Sequence, residues 1–323
     1  MKLIQGISLV VVTSTMILSV DAFLSTFHDP STTTNLLASS TTSTPESTTT
    51  TTTTTNTTTN TTTNTIQHVV DGVVCREMPL EVPIIGTVTV LEATAQSQED
   101  LVDMALALPE ESESGLLEAG DPYGAVLWPA AWAVARYILS EPKLTLENVN
   151  ILELGTGTGL VSIALALGGA KHVLATDYEP LALKLTTYAA ETFHPTIKEV
   201  LGTKLLDMCD YDDKLPQVDL VVAADIMYEP KTGIAMAHRA VEALKQGSRV
   251  IVGDSPGRPG RPAFLKALQE LGVEGVEFVD TIGRTCTGPR HDLICGKGST
   301  SVSETPKDLA VAIMDLNPEH LKK

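Results

Sequence analysis

The chain has 323 residues, enough for one or two domains with a large buried core, and only 4% of them are aromatic. Its 22 Lys plus Arg stand against 40 Asp plus Glu, a formal net charge of -18, which argues against a nucleic-acid partner because phosphate binding needs a basic surface. A basic or cationic substrate fits better, although much of this charge is also what a solvated surface carries.

Met1 to Val20 has one early lysine, Lys2, then apolar runs at Leu9 to Val12 and Met16 to Val20, with no acidic residue before Asp21. That is the pattern of a signal peptide, with Val20 and Ala22 in the -3 and -1 positions of a cleavage that would expose Phe23. A signal sequence ending on Phe resembles the bipartite plastid leaders of diatoms and related algae. A mitochondrial presequence is disfavoured, since no arginine occurs before Arg76. An uncleaved anchor is the other reading of the same apolar run. Residues 23–65 are dominated by threonine, including an unbroken run from Thr48 to Thr55. They offer little to bury, and a disordered linker or transit segment is expected.

Order is expected to begin between Ile66 and Glu81. Val82 to Glu92 alternates in part, as a strand or small hairpin does, and Asp100 to Ser114 suits a short acidic helix. In Asp121 to Pro142, Pro129 fits a first helical turn, and Trp132, Val134, Ala135, Ile138 and Leu139 then share one face, which predicts a helix over Ala130 to Leu139. Trp128, just before it, is either a core aromatic or a wall of a ligand pocket.

Asn148 to Asp177 carries the most chemistry. An apolar strand, Val149 to Leu154, ends in glycines at alternate positions, Gly155, Gly157 and Gly159, and runs into a small-residue helix closed by Gly168 and Gly169. A second strand, His172 to Ala175, ends at Asp177, so the unit is βαβ with a carboxylate at the tip of its second strand. The glycines allow a sharp turn and a close approach of backbone to ligand. Asp177, 22 positions after Gly155, is placed to accept from both hydroxyls of a ribose, and a nucleoside is expected. The dinucleotide fingerprint would need a glycine where Leu160 stands, which argues against an NAD-dependent oxidoreductase. Glu153, two residues before the first glycine, either holds the turn through backbone N–H groups or faces a cationic ligand group.

Pro180 to Phe193 reads as a helix and Ile197 to Leu206 as a strand followed by Asp207 and Met208. Val218 to Ala224 is almost wholly apolar, as the centre of a parallel sheet requires, and it leads into Asp225-Ile226-Met227-Tyr228. Ligands of such sheets bind beyond the carboxyl ends of the strands, so Asp225 and Tyr228 face the same crevice as Gly155 and Asp177. The plainer alternatives are a helix N-cap for Asp225 and simple packing for Tyr228. Thr232 to Gln246 is helical by period, and Ser248 to Gly253 is another strand. Ser255 to Pro262 forms a Pro-Gly loop whose Arg258 and Arg261 either rim a substrate groove or are solvated. Phe264 to Leu271 reads as a helix, Val276 to Thr281 with Asp292 to Cys295 as a closing antiparallel pair, and residues 298–323 as a polar tail. Cys75, Cys209, Cys286 and Cys295 form no C-x-x-C pair and share no ligand spacing with the seven scattered histidines, so no metal site is expected.

The glycine pattern with Glu153 resembles motif I of the class I S-adenosylmethionine-dependent methyltransferases. With L-W-P-A-A before a helix and D-I-M-Y after a later strand, the chain resembles the seven-β-strand protein-lysine methyltransferases of methyltransferase family 16. D-P-Y-G-A-V-L-W-P at Asp121 to Pro129 and the Gly253 to Pro259 stretch look like the branch that methylates the β subunit of electron transfer flavoprotein. The resemblance, over roughly Pro83 to Cys295, implies a doubly wound, Rossmann-like α/β sheet of seven strands with an N-terminal hairpin and helix extension, in a domain over residues 66–297. It implies S-adenosylmethionine as cofactor, held by Trp128, Glu153, Gly155, Thr156, Gly157, Gly159, Asp177, Tyr178, Asp207, Met208 and Ala224. It implies a protein substrate presenting a lysine, basic around the site, to a monomeric enzyme, with Asp225 and Tyr228 on the acceptor side. The tryptophan that often follows the strand-end aspartate in the family is Met208 here, which removes one stacking contact. A small-molecule amine acceptor on the same fold is the alternative.

Overall fold

The computed structural model describes residues 67–107, 122–141, 145–284 and 308–322. The leader, the threonine-rich segment and the strand expected at Asp292 to Cys295 lie outside them.

The described chain opens with an antiparallel meander of β1 (Gln67–Val70), β2 (Val73–Val82) and β3 (Gly86–Ala93). Asp71 and Gly72 join the first two strands with φ values of 53° and 82°, the left-handed pair that a two-residue hairpin turn demands. Helix α1 (Ala95–Ala107) follows, starting earlier than the Asp100 expected from the acidic pattern.

The main body is a seven-stranded sheet. Its strands are β4 (Asn150–Leu154), β5 (His172–Asp177), β6 (Leu201–Leu205), β7 (Leu220–Ala224), β8 (Arg249–Asp254), β9 (Val279–Arg284) and β10 (Asp308–Leu316), in the order β6-β5-β4-β7-β8-β10-β9. The pairs from β6 through β8 are parallel, whereas β10 runs antiparallel to both β8 and β9. The helices are α2 (Pro129–Ser140), α3 (Leu160–Leu167), α4 (Pro180–Phe193), α5 (Pro230–Lys245) and α6 (Gly260–Glu270).

Two cores, one on each sheet face, follow from the two-residue period of a strand. Ile151, Val173, Leu220 and Val222 pack with α2, α3, α4 and the N-terminal meander. Leu152, Leu154, Val221 and Ala223 pack with α5 and α6. Every residue of β7 is buried, which explains why its sequence is apolar throughout. The doubly wound seven-stranded sheet expected from the sequence is the one observed. The strand order reverses at β4, with β5 and β6 on one side and β7 and β8 on the other, which places a topological switch point at the carboxyl end of that strand.

Three sequence expectations are corrected. Residues 308–316 are a strand inserted between β8 and β9, with Val311, Ala312, Ile313, Met314 and Leu316 buried, so this part of the expected polar tail belongs to the sheet. Its apolar run is short and bracketed by Asp308 and Asp315, which masked it in a charged context. Helix α6 begins at Gly260, so Arg261 and Pro262 stand in a first turn rather than in a connector; proline is tolerated there because it lacks only an N–H that has no helical partner. The stretch Ile197 to Leu206 is a 3₁₀ turn, Pro195–Ile197, followed by the shorter edge strand β6.

Candidate active site

Between β4 and α3, Gly155, Gly157 and Gly159 all adopt left-handed φ, at 69°, 52° and 84°. Any other residue would be strained there, and at Gly155 an added Cβ would also lie 2.5 Å from Ile226 Cγ2. At Gly157 an added Cβ would meet only the carbonyl oxygen of Gly124, at 3.5 Å, so the loop before α2 lies directly over the turn.

Glu153 holds this turn from inside. Its Oε2 accepts from Thr156 Oγ1 at 2.8 Å, from the Ser162 backbone N–H at 3.1 Å and from the Ser162 hydroxyl. The carboxyl is almost wholly buried, and burial pushes it up to about 7, against the pull of the Ser162 and Thr156 hydrogen bonds. Of the two roles open to Glu153 in the sequence, the structure shows it bracing the turn. Asp177 works from the next strand. Its Oδ2 accepts the Gly157 N–H at 2.9 Å and its Oδ1 accepts the Glu179 N–H at 3.0 Å. Thr156 is tied to β5 by its own N–H, which donates to the Thr176 carbonyl at 2.9 Å.

Asp207 and Met208 follow β6 on the same side. The loop that carries them is fixed from below by Arg239 of α5, a fully buried guanidinium whose Nε donates to the Met208 carbonyl at 2.9 Å and whose Nη2 donates to the Asp210 carbonyl. Glu242 pairs with it at 2.7 Å. Asp207 itself is exposed and Met208 half-buried against the lower core.

On the far side of the switch point, Ala224 ends β7 and Asp225 turns the chain with a left-handed φ of 57°. Its carboxylate faces inward. Oδ2 accepts the Ala130 N–H in the first turn of α2 at 2.9 Å, Oδ1 accepts the Ser255 N–H at 2.8 Å, and Arg258 approaches Oδ1 at 3.3 Å. Asp225 therefore caps a helix, but α2 rather than the one that follows it in sequence; its side chain has no exposure, so a direct grip on an acceptor amine is not the arrangement seen. Trp128, half-buried, donates from Nε1 to the Tyr123 carbonyl at 3.0 Å and lies under Arg258, with 4.6 Å from Cζ to the ring centroid. Tyr228 is 41% exposed, and Tyr178, beyond β5, is 38% exposed. Tyr123 and Tyr211 complete a set of four exposed tyrosines, each on a loop beyond β5, β6 or β7 or on the loop covering the glycine turn.

The expected residues thus gather along one edge of the sheet, the carboxyl ends of β4, β5, β6 and β7. The loop arginines neither rim a groove nor stand in solvent: Arg258 is buried on Asp225, and Arg261 pairs with Asp254 at 2.8 Å. Asp254, fully buried, is pushed up to about 7 by burial and by the charge of Asp225, while Arg261 and Arg258 pull it down. Arg239 and Glu92 also position the site, with no sign of it in the sequence. Buried Glu92 accepts the Leu127 N–H at 3.1 Å and pairs with Arg76, anchoring the loop that leads to Trp128. No local motif marks such residues, whose partners lie dozens of positions away. A separate cavity of about 420 Å³, lined by Glu81, Ile84, Trp132, Arg136 and Arg284 among others, shares none of these site residues. Among the described residues no cluster of His, Cys, Asp and Glu could hold a metal ion.

Residues 116–270 match the family model described as lysine methyltransferase, methyltransferase family 16. The chain is 31% identical over 146 residues to the electron transfer flavoprotein beta subunit lysine methyltransferase of Rattus norvegicus, covering 43% of this chain and 52% of that protein. The corresponding human protein is 33% identical over 144 residues, with 43% and 51% covered. Protein N-lysine methyltransferase METTL21A of Danio rerio is 35% identical over 130 residues, with 40% and 58% covered. The chain spans about half the length of the curated relatives it matches.

Proposed function

We propose that this protein is an S-adenosylmethionine-dependent methyltransferase acting on a lysine side chain of a protein substrate. The observation that carries the reading is the bond from Gly157 N–H to Asp177 across three left-handed glycines, at the switch point of a parallel sheet and inside the lysine methyltransferase match. This is a nucleoside cradle: glycine backbone for close approach, and a carboxylate beside it for ribose hydroxyls. Gly155, Thr156, Gly157, Gly159, Asp177 and Tyr178 would hold the nucleoside and amino-acid portions, with Asp207, Met208, Ala224 and Trp128 flanking them and Glu153 keeping the turn in shape.

The cofactor, when bound, supplies an electrophilic methyl group on a sulfonium. The residues of this chain must then hold an unprotonated amine in line with it, and positioning supplies much of the acceleration. A lysine ammonium with an ordinary pKa near ~10.4 loses its proton more readily where the channel is apolar and partly dry. Ile226, Tyr228 and Trp128 line such a channel in this reading, with no dedicated base. Asp225 serves as a positioning residue that fixes α2 and the Arg258 loop. The acidic chain steers a target that is basic around its lysine. A lysine acceptor is favoured over a small-molecule amine by the family match and by the names of the three relatives.

The leader directs the protein into the secretory route, with a plastid as the destination in an algal-type cell. A fluorescent fusion of residues 1–65 tests that separately. The function itself is tested by incubating the protein with methyl-labelled S-adenosylmethionine and organelle extract. Label in a protein band, recovered as methyllysine on hydrolysis, supports the reading; label confined to a small-molecule fraction transfers it to the small-amine alternative.

A further inference from the structure

We infer that Arg258 is a positioning residue of the acceptor channel, holding the Trp128 ring in place by bridging it to the buried carboxylate of Asp225. This rests on the methyltransferase reading for its consequence in turnover, but not for its geometry. Arg258 is 6% exposed, its guanidinium 3.3 Å from Asp225 Oδ1 and 4.6 Å from the Trp128 ring centroid. A cation desolvated over an indole face and paired with a carboxylate is held by two attractions that depend on each other's geometry.

The arrangement closes a ring of contacts. Trp128 and Ala130 belong to the start of α2, and Asp225 caps that start through the Ala130 N–H. The same carboxylate accepts the Ser255 N–H from the loop that carries Arg258. Arg258 then returns to Trp128. Three segments far apart in sequence, 128–130, 225 and 255–258, are thereby fixed relative to one another at the mouth of the crevice. The indole is additionally held by Tyr123, through its carbonyl at 3.0 Å and its ring at 6.3 Å between centroids, so removing Arg258 leaves only the supports that Tyr123 supplies. Two more charged groups stand nearby, Asp254 and Arg261, but they pair with each other, and Arg261 stacks on Phe278 at 4.5 Å rather than on Trp128. The bridge to Trp128 therefore belongs to Arg258 alone among the loop's two arginines.

The test uses the full chain with Arg258→Met, which keeps the stem and removes the charge, and Arg258→Lys, which keeps the charge on a smaller head. Each is made also in a Trp132→Phe background, so that Trp128 is the sole source of tryptophan emission. Expected for Arg258→Met are a red-shifted, more quenchable Trp128 emission and a fall in kcat/KM for the acceptor of roughly tenfold or more. Arg258→Lys restores part of both effects. Adding Trp128→Phe to Arg258→Met costs little further, because both changes remove one contact. Unchanged emission, or additive losses in the double variant, overturns the inference. If wild type binds no S-adenosylmethionine the proposed function fails, while the emission experiment still decides the bridge.

Discussion

The carboxylate of Asp225, at the end of β7, accepts the backbone N–H of Ala130 at 2.9 Å, joining two residues that stand 95 positions apart. Helix α2 begins with Trp128 and Pro129, neither of which can cap it with a side chain, and the first N–H groups of a helix have no partner within it. Asp225 supplies that partner while neutralising a buried arginine. The D-I-M-Y stretch therefore acts first as a joint between the sheet and the helix that covers the site.

This relationship separates two roles by substitution. Asp225→Ala removes the cap and leaves Arg258 buried without its partner, which costs about 3–5 kcal/mol in urea unfolding. Asp225→Asn also removes the charge that faces Arg258, but it retains one acceptor oxygen for Ala130 and tolerates the left-handed backbone, so it costs about 1–2 kcal/mol less than Asp225→Ala. If Asp225 acts by positioning, the Asn variant keeps a measurable fraction of methyl transfer. Complete loss at undiminished cofactor affinity would instead point to direct contact with the acceptor.

The glycines of the turn are not equivalent. Gly157→Ala meets only an ordinary contact with the Gly124 carbonyl and is penalised for its φ, by about 1–2 kcal/mol. Gly155→Ala adds a collision with Ile226 and costs more, above ~3 kcal/mol by thermal or urea unfolding. Ile226→Ala in the same chain should recover part of that difference for Gly155→Ala and none for Gly157→Ala.

Asp177 binds the turn through Gly157, and in the proposed function it would also accept from the ribose hydroxyls, so Asp177→Ala should raise the Kd for S-adenosylmethionine by about tenfold or more in calorimetry, in line with loss of a charge-assisted hydrogen bond. Asp207→Ala, at an exposed position, should raise it less. Equal effects would mean that the nucleoside lies nearer β6 than the cradle indicates.

Why the site was legible to this extent follows from what each residue advertises. Gly155, Gly157 and Gly159 announce left-handed backbone because no other residue adopts it freely, and Asp177 is set by the length of one βαβ unit. The all-buried β7 shows in an unbroken apolar run. Strand β10 did not show, because its pairing with β8 and β9 is non-local and its flanks are charged. Arg258, Arg239 and Glu92 look like surface residues in sequence. Their burial is decided by partners such as Asp225, the Met208 carbonyl and the Leu127 N–H, which only the fold assembles.

Glu153 and Asp254 make stability depend on pH in the direction opposite to an ordinary salt-bridged carboxylate. Burial raises Glu153 from 4.5 and Asp254 from 3.8 to about 7 each in the folded chain. A carboxyl group whose folded pKa is raised binds its proton more tightly when folded, so its stabilising contribution is complete below the unfolded value and is lost as pH rises through about 7. Urea unfolding free energies of wild type minus Glu153→Gln should therefore fall between pH 5 and pH 8, by an amount of the order of ~1–3 kcal/mol. Taking the difference cancels the titration of every group that the two proteins share. Asp254→Asn should show the same sign, and with the Asp225 charge still in place it should be the more stable protein at pH 8. A flat difference for Glu153→Gln would mean that the hydrogen bonds from Thr156 and Ser162 outweigh burial and keep the carboxylate ionised through neutral pH.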